Sequence, residues 1–201
     1  LKLPFFSKSL RSGRARAECP GRANLEKGIR LTNKGVCQSD VGGSIETWQA
    51  GPEPDVVTLI TQFEWSDEER SQVLLQHGIY LLHAQDFWED EPQPGTVATY
   101  DYSIGRENLP VPTPDAAWDL DVVVTSDDGP ISETHRWRFD QETTLDIGPC
   151  RYRAIPASVQ YREGTRNFMN YLPDLGFAID AGYQSENGRY EYEFTKIEAI
   201  E

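Results

Sequence analysis

The chain has no run of about eighteen apolar residues, so it offers no candidate transmembrane helix. It has almost no sustained helical period either, which leaves no room for the βαβ unit of a nucleotide-binding fold. Apolar residues are scarce at 38%, but aromatics reach 11% and suit sheet faces, so wholesale disorder is excluded. Cysteine is rare: Cys19, Cys37 and Cys150 are the full set. An odd number permits at most one internal disulfide. No Cys-x-x-Cys occurs, which argues against zinc binding and redox catalysis. Gly-x-Ser-x-Gly, the phosphate loop, the dinucleotide fingerprint and His-Glu-x-x-His are all missing. The sequence therefore carries no catalytic signature and implies no cofactor.

What is present is alternation. Trp118, Leu120, Val122 and Val124 alternate with Asp119 and Asp121. Ile131, His135, Trp137 and Phe139 alternate with Ser132, Thr134, Arg136 and Arg138. Tyr190, Tyr192 and Phe194 alternate with Glu191 and Glu193. Period two with one apolar face marks half-buried strands. Ser126-Asp127-Asp128-Gly129, Arg162-Glu163-Gly164 and Glu186-Asn187-Gly188 supply hairpin turns. Upstream, Asp55 to Trp65 reads as a strand with Val57, Leu59, Phe63 and Trp65 on one face. Gln72 to Phe87 reads as one or two more, with a bulge at Gly78. Ala98, Tyr100 and Tyr102 share a face of another. The fold class is all-β and mainly antiparallel, a meander or wrapping sheet of one domain or two similar halves.

Helix is confined to two short places. Asn24 can cap a single turn over Leu25 to Lys27, closed by Gly28. Ser66-Asp67-Glu68-Glu69 matches a capping box, but its β context favours the acidic turn of a hairpin. After the strand Ile29 to Thr32, Asn33-Lys34-Gly35 reads as a turn. The organisation is then a basic arm over 1–17, a β half over 18–105, a Pro-rich connector over 106–116 and a β meander over 117–201.

Net charge is −14 and unevenly placed. Residues 1–17 carry Lys2, Lys8, Arg11, Arg14 and Arg16 and no acid, leaving −19 on the remainder. Such a body repels nucleic acid and anionic lipid. Ala15-Arg16-Ala17 has the small-x-small form of a signal-peptidase site, without an apolar core before it. The arm reads either as the end of a targeting sequence or as a plain basic extension.

Several residues invite a chemical reading. His77 and His83, six apart, would share a strand face if Gly78 did not intervene, but no further ligand stands at metal spacing, so no metal site is assigned. Asp86, Glu89, Asp90 and Glu91 surround Trp88, and an acid pair there, or His135 with an acid, would be the basis of a hydrolase. Trp88, on an acidic Pro-containing loop, and Tyr100 and Tyr102 are the candidate binding residues. Cys150 shares a strand face with Tyr152 and Ala154, and so points to the packed side. Cys19 with Cys150, Cys19 with Cys37, and three reduced thiols are all open at this point.

Ile147-Gly148-Pro149-Cys150-Arg151-Tyr152, followed by Tyr171-Leu172-Pro173-Asp174-Leu175-Gly176-Phe177, resembles a pattern in uncharacterised exported β-rich proteins of Gram-negative bacteria. Cys19-Pro20 with Leu25 and Gly28-Ile29 is similar to the mature start of small alphaproteobacterial members. The resemblance covers about a third of the chain. It implies a periplasmic or secreted protein without assigned catalysis, and it favours Cys19 and Cys150 as the disulfide. The expected function is binding or structural association in the bacterial envelope, with an envelope protein, peptide or lipid as partner. The alternative is the carboxylate or histidine hydrolase.

The basic arm has no apolar periodicity and should be mobile. Mild trypsin treatment is expected to cut at Arg11, Arg14 and Arg16 while the body stays folded. Protection of these sites would show the arm docked on the acidic body.

Overall fold

A computed structural model describes residues 18–36, 42–161 and 165–201. The arm 1–17, Cys37 and the Arg162-Glu163-Gly164 turn lie outside the described residues. The alternating segments become strands: β1 (Ile29–Val36), β2 (Ser44–Ala50), β3 (Val56–Phe63), β4 (Glu69–Gln76), β5 (Tyr80–Trp88), β6 (Glu91–Pro92), β7 (Ala98–Tyr102), β8 (Ala117–Ser126), β9 (Gly129–Phe139), β10 (Thr143–Ile147), β11 (Cys150–Gln160), β12 (Arg166–Leu172), β13 (Phe177–Ser185) and β14 (Gly188–Ala199). Two short 3-10 turns, Arg22–Glu26 and Arg106–Asn108, are the only helical pieces among the described residues.

All pairings are antiparallel, and they close. From β11 the order runs β12, β13, β14, β1, β2, β3, β4, β5, β7, β8 and β9, and β9 pairs back onto β11. The result is a twelve-stranded barrel, with β6 and β10 paired outside the ring to β5 and β11. The sheet runs unbroken across the Pro-rich connector, because Tyr102 of β7 pairs with Val122 of β8. His77 Nε2 and the Tyr80 hydroxyl donate to the connector carbonyls of Leu109 and Pro110, at 3.1 and 2.8 Å.

The barrel's outer face is charged. Arg136 and Arg138 reach Asp119 across β8 and β9, Lys34 reaches Glu193 across β1 and β14, and Arg151 grips Asp146 across the β10–β11 hairpin. Each exposed pair contributes only about 0–1 kcal/mol. Their placement is more informative than their energy. It is the reverse of the apolar outer band that a membrane-spanning barrel needs.

Twelve strands enclose more room than one layer of side chains fills. Here part of the ring fills it. On β11, Cys150, Tyr152 and Ala154 enter one core with Ile29, Leu31 and Trp48, while Ile155, Ala157 and Val159 enter a second core with Tyr80, Leu120 and Trp137. β13 divides likewise, with Phe177 and Ile179 in the first core and Ala178 in the second. Phe177 stacks on Trp48 of β2, ring centroids 4.3 Å apart. The strands β11 to β13 are thus buried on both faces at one end, which accounts for the continuous apolar run Phe177-Ala178-Ile179. The β4–β5 turn docks on this layer. Ala178 N–H donates to the Gly78 carbonyl at 2.9 Å, and any Cβ on Gly78 would lie 2.3 Å from the Gly176 carbonyl oxygen.

Three sequence expectations change. Gly78 is not a strand bulge: with His77 it forms the left-handed turn between β4 and β5, and the bulge falls at Leu74/Leu75. Asn33-Lys34-Gly35 does not end β1. Asn33 Oδ1 accepts from Gly35 N–H at 2.9 Å, folding the turn signal into a bulged stretch of continuous strand. Asn24 does not begin its turn but sits inside it, accepting from the Gly21 N–H that precedes it. The Ser66 segment is a hairpin connection, as its β context favours: Ser66 Oγ accepts from the N–H groups of Glu68 and Glu69 before β4 begins.

Cys19 and Cys150 form a disulfide, with Cα atoms 5.6 Å apart and 131 positions apart in sequence. Beside it the Tyr152 hydroxyl donates to the Pro20 carbonyl. The bridge pins the N-terminal entry to the tip of the β10–β11 hairpin. In the chain-entropy model a loop of this length is worth roughly 5 kcal/mol. The Cys150→Ser variant, or reduction of the native protein, should lower the melting temperature by on the order of 10 °C or more. Differential scanning fluorimetry with and without reductant checks this. An unchanged midpoint would show that the barrel holds the entry segment without the bridge.

Candidate functional site

Inward-facing residues of both cores line a cavity of about 230 Å³. Its walls are largely apolar, built from Trp48, Leu59, Val73, Leu75, Ile79, Leu81, Met169 and Ala178. Register explains the set. Trp48 pairs with Leu59, Leu59 with Val73 and Val57 with Leu75, and paired residues share a face. Five side chains on these walls can hydrogen-bond or ionise: Glu46, the Trp48 indole, Tyr161, Asn167 and Asp180.

Glu46 is two residues before Trp48 on the inward face of β2 and is 6% exposed. Burial, and then the negative charge of Asp180, push its pKa up to about 8. The Trp48 indole N–H opposes this by donating to Glu46 Oε2 at 3.1 Å. Asp180 stands beside a bulge at which Ala181 is the extra residue of β13 opposite Phe168 and Met169. A bulge of this kind re-aims a side chain. The adjoining Gly182 has φ +145°, and a Cβ there would lie 2.0 Å from the Tyr190 carbonyl oxygen, so β14 approaches only because this position is glycine. Burial within the barrel raises the Asp180 pKa to about 6. Its carboxylate nonetheless keeps solvent contact, because the side chain lines the hollow. Asp180 makes no hydrogen bond or ion pair with the described residues, and no lysine or arginine lines this cavity.

A second set of polar groups adjoins it. The Tyr161 ring lies edge-on to His135, centroids 4.7 Å apart, and His135 Nε2 is 3.4 Å from Glu133 Oε2. Burial lowers the His135 pKa, the contact with Glu133 opposing. His135 Nδ1, the Tyr102 hydroxyl and the Trp137 indole N–H are buried without a hydrogen-bond partner among the described residues. His135 is fully buried and withdrawn from any reactant at the surface.

The sequence-level candidates fall in different places. Tyr102 is buried in the second core at 7% exposure, and Tyr100 is half-buried against it; both rings flank His135. Trp88 is 44% exposed at the end of β5, opposite Glu69. Trp65, at 57%, is the more exposed tryptophan, and its indole N–H donates to the same Glu69. Along β4 the inward face that carries Val73 continues through Ser71 to Glu69, so Trp88 and Trp65 stand at the exposed end of that face. His77 and His83 are not brought together: His77 bonds the connector, and His83 pairs with Leu74 and Thr99. Among the described residues no cluster of three or more potential metal ligands forms.

No motif in the sequence marks Glu46 or Asp180, although each leaves a trace. Glu46 is in phase with Trp48, and Asp180 interrupts the apolar run from Leu175 to Ala181. Neither trace names its partner, since the two are brought together only by ring closure. No family model, curated protein or solved structure matches the chain, so the site is read from its own geometry.

Folding raises the pKa of both carboxyls, so their contribution to stability is fullest below the unfolded value and is lost as pH rises through the folded one. The barrel should therefore be less stable at pH 8 than at pH 5. The Glu46 part of that difference is about 3 kcal/mol. Glu46→Gln keeps an acceptor for Trp48 and removes the ionisation. It should raise the melting temperature at pH 8 and flatten the profile down to pH 5. An identical slope in wild type and variant would remove Glu46 as its source.

Proposed function

We propose that this protein works by binding and not by turnover, and that the lumen of its barrel holds a small, largely apolar molecule. The observation that carries this reading is the 230 Å³ cavity itself, apolar on most of its wall with a few convergent polar groups. That is the usual make-up of a ligand site. The size is consistent with the idea, because a dry cavity of about 150 Å³ already accepts benzene. The full burial of His135 counts against the histidine form of the hydrolase alternative.

We place the protein in an oxidising compartment, periplasmic or secreted. The Cys19–Cys150 disulfide supports this, since such bonds persist outside the reducing cytosol. The resemblance of the cysteine and turn motifs to exported alphaproteobacterial proteins points the same way. The acidic surface disfavours nucleic acid as a partner. An envelope protein, peptide or lipid could engage the exposed Trp65 and Trp88, with the lumen ligand as a separate occupant.

Titration with naphthalene, followed by its fluorescence or by calorimetry, tests the binding reading. Saturable one-to-one binding is expected. Val73→Phe, which fills the cavity from the β4 wall, should weaken it at least tenfold while the melting temperature changes by a few degrees. Absence of binding by the wild type, or binding untouched by Val73→Phe, would remove the lumen as the site.

A further inference from the structure

The cavity is chemically one-sided. Its apolar wall carries two carboxyls, Glu46 from β2 and Asp180 from β13, and no basic side chain. Glu46 has one donor in the Trp48 indole, whereas Asp180 has no hydrogen-bond or ion-pair partner among the described residues. Asp180 itself is exposed to solvent, but its negative charge and that of buried Glu46 repel each other across one apolar wall, and a cation placed beside both relieves that repulsion. The anionic character continues toward the exposed end. On the same inward face, Glu69 stands between Trp65 and Trp88, and aromatic faces beside a carboxylate suit a passing organic cation.

We infer that the lumen selects a compact organic cation, an ammonium group on a short alkyl or aromatic body, with the ammonium held by Asp180 and Glu46. This deepens the binding reading above and rests on it. The apolar body would lie against Leu59, Val73, Leu81 and Met169, which line the cavity together with the two acids. The volume limits that body to about one or two rings or a short chain. The site should then discriminate by charge more than by shape. A neutral molecule of the same size leaves Asp180 unpaired, and an anion adds repulsion. The titratable groups that face Asp180 are Glu46 on β2, Tyr161 after β11, Tyr192 on β14 and, in an adjoining hollow, Asp146 on β10, which is paired with Arg151. The tyrosines stay neutral over the physiological range because burial raises their pKa further. Of the groups that line the cavity only the two acids lose protons between pH 5 and pH 8, so affinity for an ammonium should climb with pH.

The test is isothermal calorimetry of the full chain with three ligands of equal length, hexylamine, hexanol and hexanoate, with naphthalene as the neutral control. At pH 8 hexylamine is expected to bind at least tenfold more tightly than hexanol, and hexanoate more weakly than either. Lowering the pH to 5 should cost hexylamine about tenfold and leave hexanol unchanged. Asp180→Asn should remove the preference for hexylamine while naphthalene still binds. If that variant fails to fold, the wild-type pH series and Glu46→Gln carry the same decision. Naphthalene binding with equal affinities for hexylamine and hexanol would overturn the cation inference and leave the lumen-binding reading in place. Failure of naphthalene and all three hexyl compounds to bind would overturn both.

Discussion

Six residue pairs between β1 and β14, from Ile29 with Ala199 to Val36 with Tyr192, turn a meander into a ring. The rest of the structure depends on that closure. An open sheet of this length would present two long edges of unpaired backbone groups, the usual template for aggregation. Closing the ring removes those edges and creates an inside. Only with an inside can Glu46 be withdrawn from bulk water, and only across it can Asp180 of β13 act on a carboxyl of β2.

Closure also creates the packing difficulty that the fold then resolves. A ring of twelve strands is too wide for one layer of side chains. The doubly buried end of β11, β12 and β13 fills part of the space and divides the core in two. The Cys19–Cys150 bridge and the Tyr152–Pro20 hydrogen bond fasten the N-terminal entry to the same layer. The docked Gly78 turn holds it from the β4–β5 side. The cavity is lined by residues of both cores, including Met169 and Ala178 of that layer.

Charge is divided between the two faces of the sheet according to solvent. Outside, acids meet arginines and lysines in water and contribute little individually. Inside, two acids share an apolar wall with no cation, and their pKa values rise. The large negative charge of the chain is thus mostly a surface property, while two of its carboxyls form the polar part of the candidate site.

The sequence by itself determined the local periods. Trp118 to Val124, His135 to Phe139 and the Asp128-Gly129 and Asn187-Gly188 turns establish antiparallel strands, because a two-residue period and a left-handed turn are local properties. It also placed Cys150 on a packed face and kept Ser66 to Glu69 out of a helix. Local signals misread Asn33 to Gly35 and Gly78, since a glycine with positive φ serves a bulge and a turn equally well. The tertiary structure alone decided that the strands close, that β11 and β13 are covered on both sides, and that Glu46 meets Asp180 across a cavity. Those facts depend on pairings between residues more than a hundred positions apart, and no local period records which strand will lie beside which.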